Sequence, residues 1–257
     1  MRETDWSSWV RADERPIVRR WLDLAHRVER TQQPVLTDFL SPREQYLIQS
    51  VAASVGVTVH CSGGYPDAER QRALLAPEWW VTEAADFRLQ AVVAKAAGNL
   101  RHGQVLGALL GLGIDRRKVG DVGVAHGRAQ VIVDADILDY ILSYWHTAGR
   151  EALTVTAQSP TDLVWDAPKY QWQWFSLASP RVDAVVAAAC RWPRGKAKEW
   201  VERGLVSLNF SQMDKPDEEV AQGDILSVRS FGRIAVGEQD GSTQRGRERW
   251  LLGILKS

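Results

Sequence analysis

The sequence predicts an α+β protein of three small domains. Three observations carry that prediction: helical periodicity near the N-terminus, the element order βαββαβ in the middle, and two short helices ahead of a hairpin near the end. The expected boundaries are an N-terminal α/β unit over residues 1–82, a ferredoxin-like plait over 83–160, a linker over 161–179 and a C-terminal domain over 180–257. A chain of 257 residues can hold several such modules, each burying a core without metal or disulfide staples.

From Glu14 to Arg30, the apolar residues Ile17, Val18, Trp21, Leu22, Ala25 and Val28 recur at the period of an amphipathic helix. The arginines on this helix, Arg19, Arg20, Arg27 and Arg30, fit a solvated face better than a binding stripe. The helix is expected to stop near Pro34. Ser41-Pro42-Arg43-Glu44 then offers a capping Ser, a proline at the first helical position and a Glu at the third, which starts a second helix running to about Ser54. Val57–Cys61 is β-branched and short, hence a strand; Gly63–Asp67 is a turn, and a helix is expected from about Ala68 to Leu75.

The middle segment reads most clearly. Phe87–Val93 is a strand, Gly103–Leu112 a helix closed by Gly113, and Val119–Ala125 and Arg128–Val133 are strands joined by the hairpin signal His126-Gly127. Asp134 can cap a helix bearing Ile137, Leu138, Ile141, Leu142 and Trp145, and Leu153–Thr156 is a fourth strand. The order βαββαβ is that of the plait also used by RNA recognition motifs. Such plaits stack bases on aromatics of their central strands, but here the third strand has none and the first offers only Phe87, so a scaffold whose loops touch RNA is the better reading. Two loop clusters, Arg101-His102 and Arg116-Arg117-Lys118, are candidates for phosphate contact, with solubility as the alternative role.

Residues 158–180 hold three prolines and the run Tyr170–Phe175, read as a linker or a final strand. If the run is extended, Tyr170, Trp172 and Trp174 share one face, packed against protein or offered to nucleobases. Beyond it, a short helix opens at Arg181 and runs to Cys190, and a second starts at Trp192–Lys198 and ends at Gly204. Arg194, Lys196 and Lys198 fan around the first turn of that second helix, where a helix N-terminus already favours phosphate. Val206–Phe210 and Ile225–Arg229 are strands; Gly232 lets a phosphate approach, with Arg229 and Arg233 flanking it.

Lys and Arg total 32 against 32 Asp and Glu, so placement, not net charge, has to carry any affinity for a polyanion. Cys61 and Cys190 are the only cysteines, with no CxxC, and His26, His60, His102, His126 and His146 show no metal-ligand spacing. The sequence lacks GxxxxGK[ST], HExxH and GxSxG, a secretory h-region and any stretch of about 20 apolar residues. No catalytic residue, cofactor or metal is expected, no membrane partner, and the location is expected to be cytoplasmic.

The C-terminal runs RVDAVV, RGKAK, GLVSLN, QGDILSV and RSFGR resemble the S4 (αL-type) domain. That resemblance implies binding of structured RNA through the two helices. Over nearly the whole chain, FLSPREQ, GGYPDAERQRALLAP, HGQVLGALLGLGIDRRKVGDV and VRSFGR are similar to the bacterial YlmH family. The family resemblance implies an N-terminal α/β domain, an RRM-like plait and an S4 domain. It also implies a ribosome-associated quality-control factor that binds large subunits carrying peptidyl-tRNA and supports C-terminal tailing of stalled chains, with a quality-control protein as a further partner. On it, Arg181, Arg194 and Lys196 would contact ribosomal RNA or tRNA. Two positions depart from the pattern: Pro193, where a serine usually precedes the arginine, and Ser230, where glycine is common. The alternatives are a pseudouridine-synthase-type enzyme with an appended S4 domain and a protein-interaction module using Trp79-Trp80 and the Trp172–Trp174 run.

Overall fold

A computed structural model of the protein describes residue 10 and residues 14–165, 170–209, 211–242 and 246–256. Phe210, the expected end of one C-terminal strand, and Pro168 of the expected linker lie outside the described residues. The chain divides into two compact units, residues 1–166 and 167–257, and the expected boundary at 82/83 falls inside the first.

The first unit opens with α1 (Arg15–Thr31), β1 (Val35–Leu40), α2 (Pro42–Ala53), β2 (Thr58–Ser62) and β3 (Gln71–Ala76). α1 buries Val18, Trp21, Ala25 and Val28, and α2 begins with the full Ser41/Glu44 capping box that the sequence announces. Two expectations are corrected. Val35–Leu40, passed over between Pro34 and Ser41, is a strand, and the expected helix Ala68–Leu75 is instead β3, the central strand of an antiparallel sheet ordered β1-β3-β2. Residues 69–75 favour a helix locally, but Arg72 to Ala76 are all buried, and two-sided burial between neighbouring strands overrides propensity.

The same unit continues through β4 (Leu89–Lys95), α3 (His102–Gly111), β5 (Val119–Ala125), β6 (Arg128–Asp134), α4 (Leu138–Tyr144), a two-residue ribbon of β7 (Thr147–Ala148) and β8 (Glu151–Ala152), and β9 (Thr154–Gln158). The antiparallel order β9-β4-β6-β5 is the plait expected from βαββαβ. The β5–β6 turn has both His126 and Gly127 at positive φ, 48° and 72°, as a tight two-residue hairpin needs. Val92, Val131 and Val133 face Val105, Leu109, Ile141 and Trp145 on the helical side.

The opposite face of the plait is also covered. Ala91, Val93 and Ile132 pack against Phe39 of β1, Leu163, Tyr65 and Trp165. Tyr65 and Trp165 stack with centroids 4.2 Å apart, and a side chain at Gly120 would come within 2.7 Å of the Phe39 ring. Buried charge fastens the two sheets as well. Arg72 of β3 meets Asp134 at 3.0 Å, and Lys118 bridges Asp134 at 2.7 Å and Asp38 of β1 at 2.9 Å. Burial alone would raise the Asp134 pKa, but the Lys118 hydrogen bond, the Asp136 amide and the Arg72 charge outweigh it and hold the carboxyl below its ordinary value. Asp121 accepts from the Tyr65 hydroxyl at 2.6 Å and from the amides of Glu69 and Arg70.

The second unit comprises β10 (Gln171–Leu177), α5 (Val182–Cys190), α6 (Arg194–Glu202), β11 (Val206–Leu208), β12 (Ser211–Met213), β13 (Ile225–Val228), β14 (Gly232–Ser242) and β15 (Glu248–Lys256), with sheet order β10-β15-β14-β13-β11-β12. All of β10 falls in the stretch expected to be a linker or a final strand, and seven registered pairs with β15 make it an edge strand. Val182, Val185, Val186, Ala197 and Val201 of the helices pack on Leu226, Ile234, Val236 and Leu252 of the sheet. Alternation turns Trp172 and Trp174 to the face away from the helices, where both are exposed. Trp172 lies over Gly237 and Gly253, where an added Cβ would approach it to about 3 Å.

Candidate nucleic-acid interface

Four of the six basic residues singled out in the second unit, Arg181, Arg194, Lys196 and Arg229, gather at two places. The first is a clamp at the start of α5. Asp183, at the second helical position, is buried, and its carboxylate accepts from Arg194 Nε and Nη2 at 3.1 Å each and from Arg181 Nε and Nη2 at 3.3 and 3.4 Å. A single anionic group thus orients two guanidinium groups 13 positions apart in sequence. Arg194 keeps half of its side chain exposed and Arg181 about a third, so both still face solvent. Asp183 occupies the Nε/Nη2 edge of both guanidinium groups, which leaves their Nη1 ends as the donors that can reach a phosphate. Asp183 was missed in the sequence, where an acidic residue in a first helical turn reads as ordinary dipole complementation.

The second place is the corner between α5 and α6. Lys196 Nζ lies 4.1 Å from the Trp192 ring centre and 5.8 Å from that of Trp200, and Trp192 also meets Phe231 edge-on at 6.3 Å. Phe231 sits in the turn between β13 and β14, so the aromatic contact brings that turn to the helical corner. Ser230 stands at φ 62° and Gly232 at φ 134°. The departure from glycine at 230 therefore leaves a serine in left-handed backbone. Arg229, in the same turn, is exposed and has no side-chain partner among the described residues. The aromatic trio was not assigned to the site from sequence; its signal is the run of Trp192 and Trp200 around the basic RGKAK segment.

Other expectations meet different surroundings. Pro193, standing where a serine usually precedes the arginine, occupies the cap position one residue ahead of α6 and offers no side-chain cap; its carbonyl accepts the Ala197 amide at 3.2 Å. Lys198 is exposed and pairs with Glu202 at 3.6 Å. Arg233, next to inward-facing Ile234, lies on the sheet face away from the helices and so apart from Arg194. Burial pushes the Cys190 thiol up to about 12, against a smaller opposing effect of Lys196.

In the plait, Arg116, Arg117 and Lys118 are all engaged internally, while Arg101 is exposed and has no ionic partner among the described residues. Arg116 donates to the carbonyls of Val119 and Gly120, and burial followed by the nearby Arg70 charge lowers its pKa to about 10. Arg117 chelates Asp115, whose carboxyl is held down to about 2 by that hydrogen-bonded partner. Lys118 spans Asp38 and Asp134. With the face opposite the helices buried under Phe39, Leu163 and Trp165, the plait has no open sheet platform for bases. Among the described residues no group of three or more His, Cys, Asp or Glu could hold a metal, and no helix is long and apolar enough to cross a membrane.

Comparison with known proteins places these features in a family. Residues 13–79 match the family model "YlmH, N-terminal", and residues 83–162 match "Putative RNA-binding domain in YlmH". The ribosome-associated protein quality control protein P2 of Bacillus subtilis (strain 168) is 36% identical over 242 residues, covering 93% of this chain and 94% of that protein. Among solved structures, cell division protein ylmH from Streptococcus pneumoniae superimposes with a TM-score of 0.55 at 25% identity, over 59% of this chain and 94% of that one.

Proposed function

Because this chain belongs to the YlmH family, we propose that it is a non-catalytic RNA-binding protein of the cytoplasm that docks on the large ribosomal subunit, against ribosomal RNA and peptidyl-tRNA, and assists quality control and C-terminal tailing of stalled nascent chains. The observation that carries the reading is the clamp at the start of α5, where buried Asp183 holds Arg181 and Arg194, with Lys196 on the Trp192 ring at the α5–α6 corner beside it in sequence. Residues 180–257 are the S4-type RNA-binding domain in this reading. The N-terminal α/β domain (1–82) and the RRM-like domain (83–160) precede it, joined through 161–179. Arg229 and Lys198 extend the contact around the corner, with Arg233, Arg116, Arg117 and Lys118 as outlying contacts. The relative's name and the family's RNA-binding segment support ribosomal RNA as the ligand.

The test is co-sedimentation of the full chain with purified large subunits over a salt series. Arg194 is a poor probe, since a glutamate there would stand against Asp183 and disturb the fold. Arg229→Glu combined with Lys198→Glu, both exposed, should lower binding about ten-fold or more and flatten the salt dependence, because each lost phosphate contact releases fewer counterions. Unchanged sedimentation of a folded double variant would remove the corner as the binding site.

A further inference from the structure

We infer that the exposed face of α1 is a second RNA-contacting surface, one that grips the phosphate backbone. This rests on the RNA-binding reading above and extends it to residues 1–82, for which no contact has been assigned. Projected at about 100° per residue, Arg15, Arg19, Arg20, Arg27 and Arg30 fall within an arc of roughly 140°. That arc lies opposite the buried Val18, Trp21, Ala25 and Val28. Asp23 is the one acidic residue inside the arc; Glu29 lies at its edge and contacts His26 at 3.5 Å. The cationic face spans roughly 22 Å from Arg15 to Arg30 at 1.5 Å per residue, enough to meet several successive phosphates.

Exposed arginines on a helix are commonly just solvated. Three further observations favour a ligand. First, Arg15, Arg20, Arg27 and Arg30 are exposed and have no hydrogen-bonded or ionic partner among the described residues. Four other arginines of the same unit are neutralised by the protein itself, Arg43 by Glu14, Arg72 by Asp134, Arg88 by Asp136 and Arg117 by Asp115, whereas Arg101 and Arg150 stand alone in loops and form no such face. Second, every Lys or Arg on this face is Arg, the side chain whose planar fork matches phosphate. Third, this compact unit contains the family's RNA-binding segment, and the plait's own sheet face is closed. An RNA engaged by the unit has to meet another surface. The apolar side of α1 is spent on the core, which leaves nothing to insert into a lipid bilayer and makes the interaction one of charge alone.

The experiment uses the full chain and two probes: purified large subunits and the deproteinised RNA extracted from them. Arg20→Gln, Arg27→Gln and Arg30→Gln are combined in one variant, with the corresponding triple Lys variant as the charge-preserving control. The Gln variant should lose about ten-fold affinity for the extracted RNA at roughly 100 mM salt, with a shallower dependence of log K on log salt, while the Lys variant retains most of both. An unchanged affinity and slope in a folded Gln variant, with Arg229→Glu still weakening binding, overturns the α1 proposal and leaves the RNA reading intact. Weakened binding to subunits with unchanged binding to extracted RNA also overturns it, and assigns the face to an acidic ribosomal protein. A wild-type chain that binds neither probe removes both readings.

Discussion

The plait and the C-terminal sheet are both antiparallel, and both carry helices on one face, yet their second faces have opposite fates. In the plait, Ala91, Val93 and Ile132 are sealed beneath Phe39, Tyr65, Leu163 and Trp165. In the C-terminal sheet, the corresponding side displays Trp172 and Trp174, the first resting on Gly237 and Gly253 and the second stacked by Arg249 at 4.7 Å. Alternation makes a β-strand two-faced in both cases. What turns a face into core is the chain that comes to lie on it, and the plait receives that cover from β1 and from residues 163–165. A fold name that implies an open RNA-binding sheet therefore misleads for the first unit.

The contrast can be broken by removing the cover. Phe39→Ala should cost about 3–5 kcal/mol, the penalty for emptying a fully buried aromatic site, read as a shift of the urea midpoint. Next is the buried ionic link between the two sheets of the first unit. Asp134→Asn strands Arg72 without its counter-charge and deprives Lys118 of one of two, at about 3 kcal/mol. Asp134 has a depressed pKa relative to its ordinary 3.8, so its contribution is complete above about pH 4 and is lost as pH falls through the lower folded value. For Lys118, burial is outweighed by its hydrogen bonds to Asp134 and Asp38, which raise its pKa above the ordinary 10.5; its contribution is complete below that value and is lost as pH rises through the folded one. The acid limb of a Tm-against-pH profile should flatten in Asp134→Asn, and an unchanged limb would contradict the assignment.

Smaller effects sharpen the comparison from the side of the second unit. Asp183→Ala should cost about 2 kcal/mol, discounted because both arginine partners are partly solvated, and should weaken RNA binding by releasing their forks. Loss of stability without any change in affinity would make the clamp purely structural. Trp172→Ala should cost only about 1 kcal/mol, since half of the ring already faces water. A cost near that of Phe39→Ala would mean that this face too belongs to a core.

The sequence was most readable where a signal is local. The period of α1, the Ser41/Glu44 box and the His126-Gly127 hairpin each lie within a few residues of what they specify. β3 was unreadable because its strand character comes from neighbours at 35–40 and 58–62, and residues 69–75 on their own prefer a helix. The same holds for the site. Arg194 and Arg181 are visible as cations, but Asp183 becomes their common anchor only once α6 returns beside α5. The fate of the Asp115–Lys118 cations likewise depends on Asp38 and Asp134, which lie far off along the chain. Cations are legible one by one; whether each is already spent is a property of the fold.

The fit of Phe39 against Gly120 has a consequence for how such sequences drift. Any side chain at 120 would collide with a ring contributed from 81 positions earlier, so neither position is free to change alone. A lineage that enlarges residue 120 should carry a smaller residue at 39 to make room, and the two should be inherited as a single character. The segment on either side of residue 82 would then be a poor place for recombination, since a crossover there pairs a lid from one parent with a seat from another.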